Sequence, residues 1–510
     1  MTTLSTHSRT KLACAVALSL LAPASIHAAT ETWDGGHGSA NAWFANLNWA
    51  DNTAPTDFDD LVFTGTTRLN HSSWADMGGG DNDFDINSIT FDSAAGAFVI
   101  ANGGGPAGSV IKMHGDITND DADLQTMNFN FQLNNNIGIR TNSGDITIGG
   151  VISEDGSSRK ITQFGGGGTL TLTKANTFTG GVSIGSLGET TAGGTINITN
   201  SSALGTGTVT FEQGGTLELG TSGLNVANNI FIPNWSGSIN TIRLDEAGSA
   251  IGTLSGNVQI HDGTASGFQV DVGTDDTLDM SGKFFRTAGG GTGITKIGDG
   301  TLILSGDSST GLPAGTDAIG NINVNDGTLL VNGATGTTGS LIVNNGGTLG
   351  GTGTVKRATT LNDGGFLSAG VDGIGTLNFS QTIDVSGAAA ASLLFDLGQG
   401  FGSTGTGDLL DIGGNLNLDG LDISDFSFTD LGALTSARGE YTWTLFSAAS
   451  TSGSFTASSG AVFDAYPSYF TGELSLVGAD VLLTMFVPEP SSTALLGLGL
   501  SSLLLRRKRS

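Results

Sequence analysis

The chain has 510 residues, of which 83 are Gly and only 8 are Pro. Gly therefore makes up about 16% against a usual share of roughly 7%, yet no strict Gly-X-Y period runs through the chain, which excludes collagen. Charged residues are 13%, and 47 acids face 19 bases for a net charge of −28. That balance excludes a nucleic-acid partner, because phosphate binding needs clustered Lys and Arg.

Residues 1–29 read as a secretory signal peptide. Arg9 and Lys11 supply the positive start, residues 12–21 (LACAVALSLL) the apolar stretch, and Pro23 with small residues the cleavage region. The stretch is too short for a permanent membrane span. The single Cys, Cys14, lies inside this segment. The exported chain would therefore carry no disulfide and depend on packing and hydrogen bonding alone.

Residues 30–160 read as an N-terminal cap with the first rungs of a β-solenoid. Trp33, Trp43, Phe44, Trp49 and Trp74 cluster near its start. They are expected to plug the open end of the first rung rather than to stack on sugars. The run Asp81-Asn82-Asp83-Phe84-Asp85 places alternate carboxylates where Ca²⁺ could bind, with Asp81, Asp83 and Asp85 as candidate ligands. The run lacks the Gly and distant Glu of an EF-hand, so a solvated acidic loop is the preferred reading and no cofactor is expected. His37, His71, His114 and His261 sit in no metal or nucleophile motif.

Residues 161–389 repeat one phrase: Gly-Thr, then Leu or a β-branched residue, then an alternating apolar run. It occurs at Gly168-Thr169-Leu170, Gly194-Thr195-Ile196, Gly215-Thr216-Leu217, Gly252-Thr253-Leu254, Gly300-Thr301-Leu302, Gly327-Thr328-Leu329, Gly347-Thr348-Leu349 and Gly375-Thr376-Leu377. The glycines are 26, 21, 37, 48, 27, 20 and 28 residues apart, the two long intervals suggesting missed or doubled periods. A period of this size means a stacked solenoid. Alternation such as Thr-Leu-Thr-Leu points one set of side chains inward. The expected fold is all-β: a right-handed parallel β-helix, since parallel crossovers are right-handed.

The phrases resemble a known family. Residues 170–181 (LTLTKANTFTGG), 323–333 (NVNDGTLLVNG) and 343–355 (VNNGGTLGGTGTV) are similar to the autotransporter-associated β-strand repeat, also called the passenger-associated transport repeat. Trp33-Asp34-Gly35-Gly36, Asn48-Trp49 and residues 59–63 (DDLVF) resemble the cap that opens such proteins. The resemblance implies an extracellular β-helix with no shared catalytic residues. The translocator barrel of an autotransporter does not follow: the chain ends in a short apolar run and a basic cluster.

Residues 390–486 read as a β-rich C-terminal end covering the last rung, with longer strands near 392–397, 408–418, 441–446 and 481–486. Residues 487–510 form the most specific signal. Pro488-Glu489-Pro490 precedes residues 491–505 (SSTALLGLGLSSLLL), and Arg506, Arg507, Lys508 and Arg509 follow. This order resembles the PEP-CTERM sorting signal. The resemblance implies a short membrane helix, a basic cytoplasmic stop, transient residence in the inner membrane and cleavage near the Pro-Glu-Pro by an exosortase-type sorting enzyme.

Two functions fit. One is an exported structural or adhesin-like protein of the cell surface or extracellular matrix, with extracellular polysaccharide as a partner. The alternative is a polysaccharide lyase or hydrolase on a β-helix. The alternative needs a basic residue beside clustered carboxylates, and only Arg159-Lys160 and Lys356-Arg357 are adjacent basic pairs between the two ends. The first reading is preferred, and no enzymatic activity is expected.

Overall fold

The computed structural model describes residues 29–487, apart from 74–82, 104–108, 186–192, 234–237, 262–266, 288–292, 371–372, 400–404, 432–438 and 463–470. Residues 1–28 of the segment read as signal peptide and 488–510 of the sorting tail, together with Trp74 and Asp81, lie outside the described residues.

Short alternating segments cannot bury their apolar face alone, so each pairs with the next turn of the chain. Three ladders result. The first passes through Ile117–Asn119, Ile137–Thr141, Ile161–Phe164, Val182–Ile184, Val209–Phe211, Ile230–Ile232, Val258–Ile260 and Phe284–Thr287, every neighbour parallel. The second runs from Asn70–Ser72 through Val99–Ala101, Thr169–Leu172 and Ile239–Leu244 to Ala358–Leu361, also parallel throughout. The third runs from Leu224–Val226 to Phe426–Asp430. Between residues 209 and 304 the chain visits the three ladders in strict rotation. Parallel strands in large sheets, with no α-helix among the described residues, make this a β-solenoid.

Registers carry the sequence pattern inward. On the third ladder Leu278, Leu302, Leu329, Leu349, Leu367 and Leu393 align and are all buried. Burying each such side chain contributes about 1.5–3 kcal/mol. On the second ladder Ile146, Leu170, Ile196, Leu217, Ile242 and Val270 align in the same way.

The two long intervals in the Gly-Thr phrase now have a cause. Thr169, Thr195 and Thr216 belong to the second ladder, whereas Thr253, Thr301, Thr328 and Thr348 belong to the third. The step from Gly215 to Gly252 thus changes face. The step from Gly252 to Gly300 spans the intervening strand Thr277–Met280, where Asp276 replaces the expected Gly.

Both ends are closed. At the start, Thr30–Trp33 pairs with Asp59–Phe63. Trp33, Trp43 and Trp49 are fully buried and each meets Phe63, which in turn packs on Phe91 and Phe98, as a plug requires. Phe44 departs from the expected cluster: it is 52% exposed. At the other end, Leu409–Asn417 pairs in parallel with Gly439–Ser452, which then pairs antiparallel with Asp480–Val487. Thr471–Val477 and the short Ser459–Ala461 complete this antiparallel unit. The switch to antiparallel pairing ends the repeat and leaves only a short strand at the edge. Trp443 anchors it, fully buried with its indole N–H donated to the Gly398 carbonyl at 2.9 Å.

Candidate functional site

The C-terminal unit positions the tail. Asp480–Val487 is held between Gly439–Ser452 and Thr471–Val477, with Val487 opposite Gly439. The chain therefore leaves the closed end of the solenoid at Val487. Pro488, Glu489, Pro490 and Arg506, Arg507, Lys508 and Arg509 lie beyond it, outside the described residues. Among the described residues no helix is long and apolar enough to cross a membrane.

In the described part of the acidic run, Asp83 and Asp85 are paired with basic side chains. Lys112 Nζ lies 2.7 Å from Asp83 Oδ2 and 3.8 Å from Asp85 Oδ2. His114 Nε2 sits 2.5 Å from Asp85 Oδ1. A lysine ammonium thus stands where a Ca²⁺ would need those oxygens, and Asp81 lies outside the described residues. No group of three metal-ligating side chains occurs among the described residues.

His37 and His71 hold structure. His37 Nδ1 accepts the backbone N–H groups of Ser39 and Ala40. His71 is buried in the aromatic plug. The basic pairs make local contacts. Arg159 has Glu154 beside it, whose carboxylate accepts the Arg159 backbone N–H at 2.8 Å. Arg159 binds Asp155 through Nη2 at 2.5 Å, four residues away on the same loop. Lys356 donates to Ser309 Oγ at 2.8 Å, close to the single carboxylate of Asp307. That carboxylate is held well below the usual range, chiefly by the Ser309 hydroxyl and N–H and by the Thr310 hydroxyl.

Sequence patterning did not reveal three inward-facing basic side chains. Lys296 occupies the position of Val270 and Val324 on the second ladder. Its ammonium donates to the carbonyls of Ile297, Gly298 and Asp326, and burial pushes it down to about 8. Arg286 stands opposite Ile260 on the first ladder. Arg357 precedes the second-ladder strand Ala358–Leu361 and is 1% exposed. Asp408 is buried too. Burial raises it to about 6, although the N–H groups of Gly375 and Asp396 both donate to it at 2.8 Å.

The outer side of the third ladder carries one groove of 410 Å³. Thr277, Thr301, Thr328 and Thr348 align along it in consecutive rungs, beside Ile303 and Leu330. It is lined by hydroxyls and apolar carbons and holds no charged side chain.

These features define the class: a β-solenoid with a closed aromatic start and an antiparallel end that delivers the tail. Residues 486–509 match the PEP-CTERM protein-sorting motif. Such a tail indicates an exported protein sorted by an exosortase. No curated protein matches the chain.

Proposed function

We propose that this protein is a structural or adhesin-like component of the bacterial cell surface or extracellular matrix, built as a right-handed parallel β-helix of the passenger type. The tail holds it in the inner membrane until the sorting enzyme cuts near Pro488 to Pro490, after which the rod is displayed or released. The observation that carries this reading is the direct continuity between the last strand, Asp480–Val487, and the sorting motif at 486–509. The tail hangs from a closed end, so cleavage leaves every rung intact.

The groove along Thr277, Thr301, Thr328 and Thr348 is the surface we assign to a neutral polysaccharide. Its hydroxyls can exchange hydrogen bonds with sugar hydroxyls, and Ile303 and Leu330 offer apolar contact. The net charge of −28 repels anionic polymers. A non-catalytic role is supported by the engagement of Arg159 and Lys356 in local structural contacts.

The test is fractionation of the native protein with and without residues 487–510, in a host that has the sorting enzyme. The full chain should pass through the membrane fraction and reach the surface. The truncated chain should bypass the membrane. Identical distributions would remove the sorting role.

A further inference from the structure

Ala29 belongs to the folded body. Its carbonyl accepts the Asp60 N–H at 2.8 Å, in the ladder where Thr30–Trp33 runs beside Asp59–Phe63. Its own N–H donates to Asp59 Oδ1 at 3.0 Å. Asp59 is 4% exposed, and its Oδ2 accepts the Thr56 N–H at 2.7 Å and the Thr56 hydroxyl at 3.0 Å. Those bonds hold the carboxylate with Oδ1 turned to the Ala29 nitrogen.

The surroundings of Asp59 are negative. Burial first, and then the charges of Asp51 and Asp59, push the neighbouring Glu31 carboxyl up to about 7. Among the described residues no lysine or arginine forms an ion pair with Glu31, Asp51 or Asp59. A positive charge at the Ala29 nitrogen would meet a buried, oriented and uncompensated carboxylate.

Two bonds at the end of the leader, after Ala28 and after Ala29, leave the small residue that a signal peptidase needs. The fold separates them. A cut after Ala29 takes the acceptor from the Asp60 N–H and the Ala29 donor from Asp59 Oδ1. A cut upstream of Ala28 keeps a neutral amide at Asp59. Only a cut after Ala28 keeps both hydrogen bonds and makes the donor a cation.

On the export reading above, we propose that the signal peptidase cuts between Ala28 and Ala29, and that the freed α-ammonium of Ala29 pairs with Asp59. The reaction is hydrolysis. The oxygen of one water joins the Ala28 carbonyl carbon as the C–N bond breaks, which leaves a carboxylate on the leader. Both protons of that water end on the Ala29 nitrogen, which becomes the ammonium. The first strand thus gains its ion pair only when the leader is gone, and residue 29 is the first of the mature chain rather than the last of the leader.

The experiment uses the exported protein. Intact mass and terminal sequencing read its first residue, and the pH dependence of acylation titrates its α-amine. The chain should begin Ala29-Thr30-Glu31. The amine should titrate at about pH 9 instead of its ordinary value of about 7.7–8.0, because Asp59 favours the charged form, with Glu31 and Asp51 acting in the same direction. Asp59→Asn should return it toward the ordinary value. If Asp59→Asn does not fold, the first residue and the titration of the unaltered protein still decide. An exported chain that begins anywhere else, or one that begins at Ala29 with an ordinary amine, overturns the proposal and leaves the export reading standing. A chain that keeps Met1 and stays in the cytoplasm overturns both.

Discussion

Trp43 donates its indole N–H to His71 Nδ1 at 3.0 Å inside the aromatic plug. The bond puts the His71 proton on Nε2, which has no partner of its own. Trp33 stacks on the imidazole with centroids 4.3 Å apart, and Phe63 with centroids 5.2 Å apart. His71 is therefore a neutral, planar filler among rings. Its charged form has no place there, and burial pushes it down to about 3.

Acid should open this end of the solenoid. His71 is neutral in the folded chain down to about pH 3 but takes a proton near its ordinary value of 6.5 when unfolded. Stability is complete above 6.5 and is lost as pH falls toward 3, at about 1.4 kcal/mol per pH unit for one proton. His71→Phe removes that slope and leaves the Trp43 N–H unpaired, at about 1–3 kcal/mol. Chemical unfolding of both proteins between pH 7 and pH 4 checks this, through the difference in slope rather than the offset at pH 7. Equal slopes would show that His71 is not the titrating group.

Glu31 has the opposite sign. Burial, then the charges of Asp51 and Asp59, raise it to about 7 from 4.5. The stability it confers is complete below 4.5 and is lost as pH rises through 7. Glu31→Gln should leave the protein unchanged near pH 4 and stabilise it at pH 8. Unfolding curves at both values test it, and a variant destabilised at pH 8 contradicts the assignment.

Two glycines with the same backbone twist should differ sharply. Gly298 has φ of +75° and a Cβ there would lie 2.3 Å from the Val272 carbonyl oxygen. Gly315 has φ of +79° with nothing within 4 Å. Gly315→Ala should cost about 1 kcal/mol, from the left-handed backbone alone. Gly298→Ala should cost more, about 3 kcal/mol, because backbone must also move. It should also disturb the Lys296 ammonium, which donates to the Gly298 carbonyl. Comparable melting midpoints for the two variants would refute the distinction.

The tail should be cut in the exported protein. Mass spectrometry of surface material from a host with the sorting enzyme should find the C-terminus near Pro488 to Pro490. Replacing Arg506, Arg507, Lys508 and Arg509 with Ser should misorient or release the precursor, since the basic cluster resists transfer across the membrane. Exported chains that still carry residue 505 and the basic cluster would leave a plain anchor.

The sequence by itself determined the solenoid and its inward residues. Side chains alternate along a strand, so Thr169-Leu170-Thr171-Leu172 could bury only Leu170 and Leu172. It also determined the sorting motif, whose order of Pro-Glu-Pro, apolar run and basic end is linear and needs no fold. The C-terminal strands were legible within a residue or two at Leu393–Leu397 and Asp480–Val487, because their apolar alternation is long. The tertiary structure alone decided which ladder each phrase joins. Corner lengths vary, and second-ladder partners from Ile146 to Leu361 are 18 to 28 residues apart, so Gly215 and Gly252 share a motif on different faces. It also decided that Lys296, Arg286 and Arg357 point inward. Hydrophobic patterning assigns basic residues to solvent; only the stacking of rungs brings carbonyl oxygens to Lys296 and the Gly320 carbonyl to Arg357.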